Sequence, residues 1–82
     1  MISREEIFKR IQETLVSEFE LEAEKITPEA RFFEDLDLDS IDAVDLIVRL
    51  KNEYRLTVSA EDFKSIRTIG DLVDVLLRIM NS

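Results

Sequence analysis

Apolar side chains recur three or four residues apart at Ile7, Phe8, Ile11, Leu15, Val16 and Phe19, the spacing of one helical face. Ser3-Arg4-Glu5-Glu6, just ahead, reads as a capping box in which the serine accepts from the N3 amide and the glutamate reaches back. The pattern predicts a first helix over Arg4–Phe19. Residues 21–38 then form a long connection. Pro28 breaks any helix there, and the residue before a proline is pushed towards extended geometry. A loop of that length in a small fold needs packing of its own, and Ile26, Phe32, Phe33 and Leu36 are expected to pin it across the bundle. Asp39 is placed to cap a second helix from Ser40 to about Tyr54. An extended link follows over 55–58, and Ser59 caps a third, short helix. Thr68-Ile69-Gly70-Asp71 opens a fourth, whose apolar face is Ile69, Leu72, Val73, Leu76, Ile79 and Met80. The expectation is an all-α, small four-helix bundle, three longer helices plus one short, forming one domain over 1–82.

The second helix carries more apolar surface than a bundle member needs. Ala43, Leu46, Ile47, Leu50 and Tyr54 form one stripe, wide enough for the core. Ile41, Val44 and Val48 form a second, about 140° away on the helical wheel, with Asp42, Asp45, Arg49 and Glu53 filling one gap between them. Two readings follow. Either the second stripe lies under the long loop, or it is an exposed apolar strip rimmed by acids, suited to basic partner proteins.

Composition narrows the chemistry. The 82 residues contain no cysteine, histidine or tryptophan, which removes disulfides, thiolate and imidazole metal ligands, and the usual general base near neutral pH. The net charge of −8, from 11 basic and 19 acidic residues, makes nucleic acid a poor partner and basic protein surfaces a good one. It also predicts a monomer in solution. No uncharged run exceeds the five residues 56–60, so no membrane span is expected. The first residues meet charges at once, unlike a signal peptide, and the default location is cytoplasmic.

The densest chemistry lies in Glu34-Asp35-Leu36-Asp37-Leu38-Asp39-Ser40-Ile41-Asp42. Asp35, Asp37 and Asp39 fit the opening of a calcium loop, but Ser40 stands where glycine must turn it and Leu46 where a glutamate must close it. A metal site is not expected. Paired carboxylates could do acid–base work, yet these crowd a helix start with no pocket suggested, so no catalytic residue is assigned. Asp39 and Asp42 suit the positive end of the helix dipole. Ser40 takes the first helical position, where free amides and the dipole favour a phosphate; serine is also an ordinary resident there.

Asp39-Ser40-Ile41, with Phe33-Glu34-Asp35-Leu36 before it and Asp42-Ala43-Val44-Asp45-Leu46 after it, closely resembles the attachment region of acyl carrier proteins. The likeness extends over nearly the whole chain, through Ile26-Thr27-Pro28, the stretch from Phe63 to Ile66, and Thr68-Ile69-Gly70-Asp71-Leu72. The resemblance implies an acyl-carrier-like bundle with 4′-phosphopantetheine esterified to Ser40 by a phosphopantetheinyl transferase, using coenzyme A and magnesium. It makes Asp39 a helper in the transferase complex. It makes Ile41, Asp42, Val44, Asp45 and Val48 the docking face for acyl-processing enzymes with basic surfaces. A core lined by Phe32, Leu46, Leu50 and Ile66 would shelter attached chains. Three positions depart from the family pattern: Asp37 where glycine is frequent, Leu38 in place of a small residue, and Arg49 with Lys51 on a more uniformly acidic helix. They leave the pathway open between fatty-acid, polyketide and aryl-polyene-like synthesis. An unmodified carrier-like module binding basic partners is the alternative.

Overall fold

The computed structural model describes residues 2–81, the Ala60 side chain excepted; Met1 and Ser82, the ends of the expected domain, lie outside the described residues. Four helices follow in order: α1 (Arg4–Phe19), α2 (Ser40–Tyr54), α3 (Ala60–Lys64) and α4 (Ile69–Met80), with a single 3₁₀ turn at Ala23–Lys25 after α1. Each helix begins where a short polar side chain can take an orphan amide. Ser3, Asp39, Ser59 and Thr68 accept from the amides of Glu6, Asp42, Asp62 and Asp71. The last three are complete capping boxes, the N3 carboxylate bonding back to the cap amide. At α1 the serine half of the expected box is made, at 3.2 Å.

Ile7, Ile11 and Leu15 of α1 meet Leu46, Ile47 and Leu50 of α2 and Ile69, Leu72, Val73 and Leu76 of α4 in one core. Arg10 and Arg49 lace α1 to α2 at the surface, on Glu53 and Glu18 respectively. The long connection is tied down by backbone as well as by side chains. Phe32 N–H donates to Arg67 O at 3.1 Å, Ile69 N–H to Ala30 O at 3.0 Å, and Gly70 N–H to Pro28 O at 2.8 Å, with Arg31 and Thr68 forming an antiparallel bridge. Gly70 is required by that approach, because a Cβ there would lie 2.9 Å from Pro28 O. The loop is therefore fastened along the link between α3 and α4. That link fixes where the end of the loop, and the start of α2, must sit.

Ile26, Phe32 and Leu36 are buried and pin the loop as expected. Phe33 is not: it is 54% exposed. Phe32 N–H is held by Arg67 O, and the chain then turns, with the amides of Asp35 and Leu36 both donating to Arg31 O, which leaves Phe33 on the outside of the turn.

Candidate functional site

The acidic stretch alternates leucines with acids, a period of two that puts successive side chains on opposite sides. Leu36 and Leu38 are buried, and Asp35, Asp37 and Asp39 are exposed between them. Asp37 takes the left-handed conformation, φ 54°, which turns the chain into α2. Leu38 N–H donates to Phe32 O at 3.0 Å and closes the turn. The carboxylates are committed to the chain itself. Asp35 Oδ2 accepts from the Arg31 amide at 2.8 Å and from Arg31 Nε at 3.2 Å, and these bonds hold the Asp35 carboxyl below its ordinary pKa. Asp39 Oδ1 accepts from the Asp42 amide at 2.8 Å. Acids bound to backbone amides in this way shape a helix start.

Ser40 follows immediately. It is exposed, and among the described residues its hydroxyl makes no hydrogen bond. The Asp39 cap takes the Asp42 amide and Asp39 O takes that of Ala43. The Ser40 and Ile41 amides have no acceptor among the described residues, so the helix end beside the hydroxyl keeps its positive character.

The apolar strip on α2 faces solvent: Ile41, Val44 and Val48 are 77%, 50% and 39% exposed. The loop does not cover it, since it packs along the α3–α4 link instead. Asp42 and Asp45 flank the strip, and Asp45 Oδ2 accepts from Arg49 Nε at 3.2 Å. On the other side of Ser40, between α2 and α3, a groove of about 330 Å³ runs over Val44, Ile47, Phe63 and Ile66. Phe32 and Phe33 line it from the loop, and Lys64 and Arg67 from α3 and its exit. Of the residues expected to line a shelter, Phe32 and Ile66 do so; Leu46 and Leu50 are sealed in the core.

An exposed serine with an unbonded hydroxyl thus stands at a helix start, beside an exposed apolar strip and an apolar groove that share Val44. The family described as "Phosphopantetheine attachment site" matches residues 9–76. The chain belongs to the acyl carrier protein family. An "Acyl carrier protein 2" of Ralstonia nicotianae is 41% identical over 75 residues, 92% of this chain and 93% of that protein. An acyl carrier protein of Lactobacillus acidophilus is 36% identical over 75 residues, covering 92% and 94%. Among solved structures, the acyl carrier protein of Thermotoga maritima superposes with a TM-score of 0.84 at 26% identity, covering 95% of this chain and 91% of that one. That of Enterococcus faecalis gives 0.77 at 28% identity, covering 95% and 99%.

An acyl carrier protein is a carrier and not an enzyme, and its cofactor is 4′-phosphopantetheine. A phosphopantetheinyl transferase and acyl-processing enzymes are its partner classes. Among the described residues no helix is long and apolar enough to cross a membrane. In this carrier the helix caps and the α2 strip could be read from residue spacing. The groove could not, because Phe33, Phe63, Lys64 and Arg67 come together only through the Arg31–Thr68 bridge. Its one local signal is that Phe63 and Ile66 sit three apart across the end of a helix too short to bury them alone.

Proposed function

We propose that Ser40 carries the phosphopantetheine arm and that the carrier presents acyl thioesters on it to enzymes docked on α2. The observation that carries this reading is the exposed Ser40 hydroxyl, unbonded among the described residues, beside two amides with no acceptor among them. In loading, Ser40 Oγ attacks a phosphorus of the coenzyme A pyrophosphate. A new O–P bond forms, the bond to the adenosine bisphosphate breaks, and the serine proton passes to the transferase. The thiol at the far end of the arm supplies the thioester chemistry. The chain's own residues do the rest. The α2 N-terminus offers amides to the phosphodiester, Asp39 holds the helix start and faces the transferase's metal, and Ile41, Val44 and Val48 give partners an apolar seat between Asp42 and Asp45.

The arm lets the acyl chain fold back into the groove over Val44, Ile47, Phe63 and Ile66. Its placement in a cytoplasmic synthesis of fatty acids, polyketides or related chains agrees with an acidic chain of 82 residues. Incubation of the apo protein with coenzyme A, magnesium and a broad-specificity transferase, followed by intact mass, tests the attachment. Wild type gains one phosphopantetheinyl mass and Ser40→Ala gains none. An unchanged wild-type mass, or the same gain in Ser40→Ala, overturns the assignment.

A further inference from the structure

We infer that Lys64 and Arg67 make the groove beside Ser40 selective for acyl chains bearing an anionic group, such as a carboxylate away from the thioester. The inference rests on the carrier reading above.

The floor of the groove is apolar, so it accepts a hydrocarbon segment, yet one wall holds these two cations. Five of the seven arginines, Arg4, Arg10, Arg31, Arg49 and Arg78, pair with acids, and so are not available to a ligand. Among the described residues Lys64 and Arg67 make no such pair. The reason lies in the caps around them. Asp62 accepts from Ser59 N–H and Oγ–H and from Arg78 at 2.6 Å, and Asp71 accepts from the amides of Arg67 and Thr68. Glu34, which shares a neighbouring hollow with Arg67, is held by Arg31. Asp62, Asp71 and Glu34 are thus spent on helix starts and other arginines, and Lys64 and Arg67 line the groove without an ion pair among the described residues.

Net charge sharpens the point. A protein at −8 repels an anionic chain almost everywhere, and the acids around the root of α2 do so beside the arm itself. The α3 wall is where such a chain finds attraction. A plain hydrocarbon chain gains nothing from these cations.

The test compares two cargoes of equal length, octanoyl and monosuberoyl, transferred as acyl-phosphopantetheine from their coenzyme A thioesters. Thioester cleavage by hydroxylamine, a neutral nucleophile, reports how far each chain is withdrawn from solvent. Lys64→Gln with Arg67→Gln is expected to speed cleavage of the suberoyl thioester roughly two- to fivefold, the scale of an exposed ion pair, and to leave octanoyl unchanged. Added salt on the wild type should reproduce the suberoyl effect. Each single variant, with its helical circular dichroism intact, should give part of it. Equal changes for both cargoes would mean that the cations serve the arm's phosphodiester, and no change for either would mean that they face solvent only. Both results overturn the inference while leaving attachment at Ser40 standing. Failure of either cargo to load counts against attachment instead.

Discussion

Among the described residues three that are not glycine carry positive φ: Glu20, Asp37 and Arg55, at 56°, 54° and 55°. Glu20 and Arg55 are the left-handed caps that end α1 and α2, the place where glycine is favoured. Asp37 starts the turn into Ser40. A side chain in that region costs about 1–2 kcal/mol, less for aspartate, whose short polar group bonds locally. Glu20→Gly and Arg55→Gly should therefore each stabilise the fold by up to about 1 kcal/mol, and Asp37→Gly by less, after the extra chain entropy of glycine is subtracted. In an 82-residue chain that is a rise in melting temperature of a few degrees, roughly 4–8 °C per kcal/mol. A lower melting temperature for Glu20→Gly would show that the capping strain is not there. Gly70 is the opposite case. Its φ needs no glycine, but its Cβ position lies 2.9 Å from Pro28 O. Gly70→Ala gains about 1 kcal/mol of helix propensity and loses more by pushing the loop off α4. The net expectation is a lower urea midpoint, by about 1–2 kcal/mol of stability.

At the scale of elements, α2 has a buried apolar stripe and an exposed one, and the docking proposed for the second is testable. Leu46, Ile47 and Leu50 hold the core, whereas Ile41 and Val44 touch little of it. Ile41→Ser should leave stability within about 0.5 kcal/mol, as exposed substitutions do, while slowing turnover with a partner enzyme. Arg49 adds a finer adjustment. It pairs with Asp45 and with Glu18 of α1, so one acid of the proposed docking face is partly neutralised. Arg49→Gln frees Asp45 and should quicken association with a basic partner at low salt, the gain fading as salt is added. Association no faster than wild type would show that Asp45 does not meet the partner. The starts of all four helices were legible because Ser3, Asp39, Ser59 and Thr68 each mark one with a carboxylate three residues on. The two stripes of α2 were legible because a long helix displays its period. Which stripe is covered was not, since that depends on where the loop goes, and the loop is steered by backbone bonds from Pro28, Ala30 and Phe32 that leave no trace in side-chain pattern. Phe33 was misplaced for the same reason.

For the whole molecule, charge sets the terms of stability. At −8 near neutral pH the folded state repels itself, and the ion pairs that offset this are exposed and individually weak. Added salt screens the repulsion more than it costs the pairs, so the melting temperature should rise with sodium chloride at pH 7. That rise should shrink as the pH approaches about 4.4, where the net charge vanishes. Acidification has a second, opposed effect. Glu53 is held below its ordinary pKa by Arg10, Asp35 by the amide and guanidinium of Arg31, and Asp62 by the amide and hydroxyl of Ser59. A carboxyl depressed in the folded state stabilises fully above its unfolded pKa, and that contribution disappears as pH falls through the folded value. The unfolded values lie near 4, so these three contributions are intact at neutrality and lost from about pH 4 downward. Stability should therefore hold or improve from pH 7 to about 5, as repulsion eases, and then drop steeply below pH 4. Asp62→Asn removes one of the three, along with the clamp on Arg78, and should flatten that acid limb while lowering stability at pH 7. Urea midpoints measured between pH 3 and 7 at low and high salt separate the two effects. A salt dependence that persists undiminished at the isoelectric point would mean that specific ion binding, and not net charge, governs this fold.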